Sequence, residues 1–272
     1  MTIPWVNRES PASSESFEAL HAGLTVAMIQ TPRAELATCL ASETAEAVNA
    51  RNIERYDFLP VVEGETIVGL FHAAASRDNA AAGMQIGDHA FPLSEDHVIG
   101  GDASILDFVV EADAKPCRLV FSGPRITGLV SLSDLQKLPV RAALFALITG
   151  LEMTMIEAIR RSHPSKEDWL MCLSPMRRRK TEEEIERSRQ GDGLVDSLLF
   201  TQFGDKRDII VKSRPAEMGK MKLHSRLREI ESLRNRLAHA NDYAATPDQA
   251  IQVCATIRGL LELQKIIAGG AI

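Results

Sequence analysis

Between residues 24 and 138 the apolar positions come in short runs separated by glycine turns. Phe58-Leu-Pro-Val-Val62 is followed by a turn at Glu63-Gly64 and then by Thr66-Ile-Val-Gly-Leu-Phe71. The same order returns as Cys117-Arg-Leu-Val-Phe121, a turn at Ser122-Gly-Pro124, and Arg125-Ile-Thr-Gly-Leu-Val-Ser131. Two apolar runs around a glycine turn predict a β-hairpin. Gly69 and Gly128 occupy equivalent places in the two copies. A helical run, Thr44 to Asn52, precedes the first hairpin. Another, Ala103 to Ala112 with Asp102 as N-cap, precedes the second. Helical character resumes after each hairpin. The pattern predicts two helix-strand-strand-helix repeats of about 60 residues each. Ahead of them, residues 7–16 (NRESPASSES) are small and polar and predict a disordered tail, so that order is expected from about Leu24.

After Leu138 the strand pattern stops. Pro139 suits the first turn of a helix, and Arg141 to Arg161 is apolar on most sides, as expected for a buried or interface helix. Glu152 lies in its middle; it is either paired in the interior or turned to solvent. Ser165 opens the next helix. Gln190-Gly-Asp-Gly193 is a break, Leu194 to Phe200 reads as a helix, and Asp208 to Val211 reads as a loop or short helix beyond Gly204-Asp205. In residues 221–239 the apolar residues Leu223, Leu227, Ile230, Leu233 and Leu237 recur at helical spacing. Thr246 and Pro247 open a last amphipathic helix that ends near Gly269. The fold class expected is therefore α+β: a repeat module over 24–138 after a tail at 1–23, then an all-α bundle over 139–272.

Charge divides along the same line. Residues 1–138 carry 9 Lys+Arg against 19 Asp+Glu, whereas residues 139–272 carry 22 against 18. The basic half is the one suited to phosphate. Cys39, Cys117, Cys172 and Cys254 form neither a CxxC pair nor a Cys/His pair at ligand spacing, so they are expected to be reduced core thiols, with no metal site. No basic-then-apolar leader is apparent. The longest apolar stretch, Ala142 to Leu151, is shorter than the ~20 residues that span a bilayer. The expectation is a cytoplasmic protein that touches no membrane.

The repeats resemble the CBS domain, which occurs as tandem pairs packed into one pseudo-symmetric module. The stretch Gly128-Leu-Val-Ser131-Leu-Ser-Asp134 is similar to the family's glycine, two apolar residues, a hydroxyl and a carboxylate at the end of the second strand. The resemblance implies that Ser131 and Asp134 hold the ribose of an adenosine nucleotide (AMP, ADP or ATP) acting as a regulatory ligand. Physically, a carboxylate can accept both vicinal hydroxyls of a ribose. The same Ser-x-x-Asp spacing also makes a helix capping box. The first repeat has His72 and Ala75 at these two places, so one site is expected rather than two. Arg118 reads as standing where the first repeat has Pro60, facing either a phosphate or solvent.

In the second half, Arg234-Asn-Arg-Leu-Ala-His239 resembles the R-[NDH]-x3-H signature of HEPN domains, all-α bundles many of which are metal-independent ribonucleases working as dimers. That resemblance implies His239 as general acid/base, Arg234 as phosphate clamp and Asn235 as orienter, with no cofactor for catalysis. The residue types fit the chemistry: imidazole titrates near neutral pH, and a guanidinium stabilises charge on phosphoryl oxygens. On a regular helix, however, Arg234 and His239 are about 140° apart, and Arg234 lies within the apolar arc. It either contributes to a shared dimer site or pairs with a buried carboxylate such as Glu152. Arg177, Arg178, Arg179 and Lys180, followed at once by Glu182 to Glu184, are either RNA contacts or a self-compensating helix face. Two functions follow. The first is a homodimeric endoribonuclease under nucleotide control, with RNA rather than DNA as partner. The second is a non-catalytic nucleotide sensor and dimerisation scaffold for a partner protein.

Overall fold

A computed structural model of the chain describes residues 19, 21–77, 83–190, 196–213, 218–239 and 241–269. Most of the tail expected over residues 1–23, and the break expected at Gln190-Gly-Asp-Gly193 beyond its first residue, lie outside these. Residues 21–23 are helical. The described chain forms two compact units that divide between Val140 and Arg141. The fold is α+β.

The first unit contains both hairpins. In chain order it has β1 (Thr31–Pro32), β2 (Cys39–Leu40), α1 (Ala45–Arg51), β3 (Phe58–Glu63), β4 (Thr66–His72), α2 (Ala73–Arg77), α3 (Ile86–His89), β5 (Phe91–Pro92), β6 (Val98–Gly100), α4 (Ile105–Val109), β7 (Cys117–Ser122) and β8 (Arg125–Ser131). The 3-10 turn Leu132–Gln136 follows β8. One sheet runs β2-β3-β4-β5 and the other β6-β7-β8-β1. Each repeat therefore lends its opening strand to the other's sheet. Pro92 of β5 lies opposite Gly69, and Pro32 of β1 lies opposite Gly128. The two ladders match residue for residue: Val61 faces Gly69 and Val120 faces Gly128, and each ladder has a bulge at the next position.

This exchange explains the repeated glycine. A Cβ on Gly69 would stand 2.6 Å from the carbonyl oxygen of Phe91 in the lent strand, and one on Gly128 would meet the carbonyl oxygen of Thr31 in the same way. Both faces of the first hairpin are buried. Leu59, Val61 and Phe71 pack with Val48 and Ala73 of the flanking helices and with Ile86 of α3. Ile67 and Leu70 pack against Cys117 and Leu119 of the second hairpin. The aliphatic seam leaves its thiols inert: burial pushes the Cys39 thiol up to about 11 and that of Cys117 up to about 12.

Three local expectations are corrected. The second repeat's helix is capped by Ser104 rather than Asp102, with Asp107 completing a capping box, and it spans only Ile105–Val109. The ladder register places Leu119, not Arg118, at the position of Pro60, and Arg118 at that of Leu59. Arg118 accordingly faces the interior and not solvent. It is 4% exposed, lies over the Phe108 ring, and donates to the Phe108 carbonyl and to Glu111.

The second unit is helical. It contains α5 (Leu138–Ser162, whose first turn belongs to the repeat unit), α6 (Lys166–Leu170), α7 (Pro175–Gln190), the 3-10 turn Ser197–Phe200, α8 (Phe203–Ser213), α9 (Lys220–Ala238) and α10 (Pro247–Ala268). The five apolar residues that predict α9 are its buried stripe, and Thr246 caps α10 with Pro247 at its start. By length and composition α5 could cross a membrane; half of that stretch, including Leu144, Leu147, Ile148 and Leu151, is buried inside the protein. Of the two readings of Asp208 to Val211, a loop or a short helix, the structure takes the helix, which runs over Phe203–Ser213. Gly204-Asp205 is its first turn, because the Asp205 carboxylate accepts from the Gln202 N–H and fixes the helix start there.

Substituting Gly69 or Gly128 by Ala should push the lent strand out of register and cost about 1–3 kcal/mol. Gly259→Ala, in mid-helix with open space around it, should instead stabilise by up to about 1 kcal/mol. Urea unfolding of the three variants checks this. Strand substitutions as mild as the helical one would refute the close-packing explanation.

Candidate functional site

Two places carry the residues that the sequence singles out, one in each unit. In the repeat unit, β8 ends at Ser131 and the chain turns at once into Leu132–Gln136. Asp134 is 6% exposed. Its Oδ2 accepts from the Ser131 N–H at 2.6 Å and lies 3.3 Å from Ser131 Oγ. Its Oδ1 pairs with Lys137 Nζ at 2.8 Å, and Lys137 also donates to the Ile29 carbonyl. The structure thus brings Ser131 and Asp134 together with the carboxylate satisfied from both sides. The Ser131 hydroxyl lies 2.8 Å from that of exposed Ser133. Lys137 escaped notice in the sequence; its signal was the i, i+3 spacing from Asp134. At the equivalent point of the first repeat, His72 stacks on Phe58 with ring centres 4.3 Å apart.

In the helical unit, Arg234, Asn235 and His239 lie on the last turns of α9, with His239 as C-cap. Asn235 and His239 are exposed. Arg234 donates to Asn235 Oδ1 at 3.3 Å, and its Nε lies 3.6 Å from Glu152 Oε1 on α5. Glu152 is therefore the paired interior carboxylate, and Arg234 takes the ion-pair alternative in this arrangement. The sequence did not reveal the third member, Lys206. It is 3% exposed and donates to Glu152 Oε2 at 3.3 Å and to the Thr201 carbonyl at 2.6 Å. Burial holds its ammonium below the usual lysine range, against the opposing pull of Glu152. Lying in the charged stretch Asp205-Lys-Arg-Asp208 ahead of the apolar run of α8, Lys206 has no local signal of burial.

Arg141 was also missed. From the first turns of α5 it donates to the carbonyls of Arg236, Leu237 and Asn241 and stacks on Tyr243 at 4.9 Å. It thereby closes the end of α9 at which His239 stands. The four basic residues proposed as RNA contacts do not form one patch. Arg177 holds Asp205 through two nitrogens, Arg178 donates to the Leu170 carbonyl, and Arg179 pairs with Glu183 at 3.0 Å. Lys180 is exposed. Among the described residues no group of three or more His, Cys, Asp or Glu could hold a metal ion.

Removing the shared carboxylate should expose what it neutralises. Glu152→Gln leaves Lys206 buried without its ion-pair partner and should cost on the order of 3 kcal/mol. Adding Lys206→Met should recover most of that loss. Chemical denaturation of the single and double variants measures the coupling, and purely additive losses would show that the pair is not a unit.

No protein-family model matches the chain, and no curated protein matches it. Solved structures do. The CBS domain of a bacterial CNNM/CorC family Mg2+ transporter, solved in complex with ATP, is 21% identical with a TM-score of 0.38, covering 47% of this chain and 94% of that one. CBSX2 in complex with AMP is 22% identical with a TM-score of 0.35, covering 44% of this chain and 96% of that one. The CBS-pair protein CBSX2 from Arabidopsis thaliana is 19% identical with a TM-score of 0.35, covering 44% and 94%.

Proposed function

We propose that this protein is a nucleotide-responsive regulator: residues 22–140 bind an adenosine nucleotide, and the helical unit presents the response to a partner protein, in the cytoplasm and as a homodimer. The observation that carries the reading is the interlocked pair of repeats with Ser131 and Asp134 at the turn that follows β8. The resemblance of Gly128 to Asp134 to the CBS stretch supplies the ligand class. Ser131, Ser133 and Lys137 offer two hydroxyls and a cation beside the carboxylate, donors suited to a ribose and a phosphate. A bound ribose would take over acceptor positions that Lys137 and the Ser131 N–H now fill at Asp134. Ligand binding would then be coupled to this turn, which runs straight into α5.

Titrating AMP, ADP and ATP against thermal unfolding tests the reading. A ligand at 100 times its Kd should stabilise by about 2.7 kcal/mol. Ser131→Ala and Asp134→Asn should abolish the shift, whereas His72→Ala should keep it. The absence of a shift with every adenosine nucleotide would defeat the proposal.

A second reading, a HEPN-like metal-independent endoribonuclease, draws on the exposure of Asn235 and His239 on one helix and on the Arg234 to Asn235 hydrogen bond. It requires RNA cleavage in EDTA that His239→Ala removes. Wild-type protein that leaves a mixed RNA pool intact would eliminate it and leave the regulator.

A further inference from the structure

Many basic side chains of the helical unit are met by a carboxylate. Asp205 holds Arg177, Glu183 holds Arg179, Glu152 is shared by Lys206 and Arg234, Glu231 holds Arg207 and Glu262 holds Arg226. One stripe along the first half of α9, away from Arg226, differs. Lys220, His224 and Arg228 are spaced four residues apart, so they form one stripe on the helix, rising about 6 Å per step. None of the three has an ion-pair partner among the described residues. With Val211, Met221 and Ser225 they line a groove of about 430 Å3 between the end of α8 and the start of α9. No carboxylate among the described residues lines it. Ser225 turns its hydroxyl to Glu229, which lies outside the lining.

Lys220 and Arg228, about 12 Å apart along the helix with an imidazole between them, beside open space and with no carboxylate among the described residues lining the groove, make a site for negative charge. The span exceeds what a single carboxylate or one phosphate would fill. It matches consecutive phosphates, whose oxygens a lysine and a guanidinium can meet with charge-assisted hydrogen bonds and an imidazole N–H with an ordinary one. Met221, 89% exposed, and Val211 give the groove an apolar side against which the rest of a ligand can lie. We infer that this groove binds a ligand carrying two or more phosphate groups in line, either a free polyphosphate or the backbone of a nucleic-acid strand. The inference is independent of nucleotide binding at Ser131 and Asp134, because it uses other residues in the other unit.

The test uses the full chain, with inorganic tripolyphosphate and a fluorescein-labelled single-stranded RNA dodecamer as probes, followed by calorimetry and anisotropy at low salt. At least one probe should bind. The double variant Lys220→Glu/Arg228→Glu should weaken it tenfold or more. For the RNA it should also flatten the log–log salt dependence by about 1.4, or 0.7 per lost phosphate contact. Arg187→Glu/Arg189→Glu, an equal charge change on the exposed face of α7, should bind within twofold of the parent. Tripolyphosphate displacing the RNA marks a site for the phosphates alone, whereas RNA binding that resists it marks a strand site. The inference is overturned if neither probe binds, if the double variant binds like the parent, or if the α7 variant loses as much. Unchanged circular dichroism melts confirm that the reversals act on binding rather than folding, and the Asp134→Asn variant should bind both probes like the parent.

Discussion

The exchange of opening strands is the constraint on which the repeat unit rests. A two-residue edge strand has too few hydrogen bonds to stand alone, and β1 and β5 are both of this kind. Each is held because the other repeat's hairpin supplies the ladder. The interlock extends to the helix starts. Ala45 N–H donates to the Met84 carbonyl and Ile105 N–H to the Leu24 carbonyl, while Val26 N–H donates to Ala103 and Ile86 N–H to Glu43. Neither repeat can therefore satisfy its own backbone groups, and an orphaned backbone group in the interior is costly. The two copies must fold as one object. The glycines follow from that requirement: the lent strand passes where a Cβ would be. Proline in each lent strand withholds an N–H from the open edge and so guards it against further pairing.

The helical unit is tied by a different device, concentrated in three consecutive residues. Asp205, Lys206 and Arg207 on α8 reach Arg177 on α7, Glu152 on α5 and Glu231 on α9 respectively. Consecutive helix residues point about 100° apart, so one turn can engage three neighbours at once. Hydrophobic burial is non-directional, and an aliphatic bundle without such pairs could slide or rotate its helices at little cost. The ion pairs fix which face of α8 meets which helix. Buried pairs of this sort specify arrangement more than they add stability.

The elements were legible where a single local pattern decided them. The hairpins, the α9 stripe and the Thr246-Pro247 start of α10 all follow from spacing and caps within a few residues of each other. What was not legible depended on partners outside the residue's own element. Arg118 looks like a phosphate contact or a surface residue because its partners Phe108 and Glu111 lie outside its strand and because a one-residue shift in register changes the face it takes. Asp208 to Val211 leaves loop and short helix both open because the Gly204-Asp205 ahead of it is turn-favouring. The Asp205 carboxylate in fact caps the helix from inside its first turn and is held from α7 by Arg177. Strand exchange has no local signature at all, since a lent strand and a retained one have the same composition. At the candidate sites the motif residues were found but not their neighbours. Lys206, Lys137 and Arg141 are chemically ordinary until the fold puts a carboxylate or a row of carbonyls in front of them.

The ion pairs of the helical unit also bear on what Arg234 can still do. Arg177 meets Asp205, and Arg207 meets both Glu231 and Asp208, but Glu152 alone pairs with both Lys206 and Arg234. At Glu152 two cations share one carboxylate. Lys206, with a side chain 4% exposed, cannot hand its charge to solvent, and its burial disfavours carrying it. Arg234, at 38%, can. The positive charge of this trio therefore emerges through Arg234 beside the Asn235 amide, at the end of α9 that Arg141 holds closed, on the same helix whose first half carries Lys220, His224 and Arg228. A guanidinium sharing its carboxylate with a buried lysine is only half neutralised, so the ion pair places Arg234 without cancelling its field. The charge that Arg234 presents at this end of α9 is thus a consequence of how the bundle is tied together, and any ligand or partner meeting it there has to be matched to it.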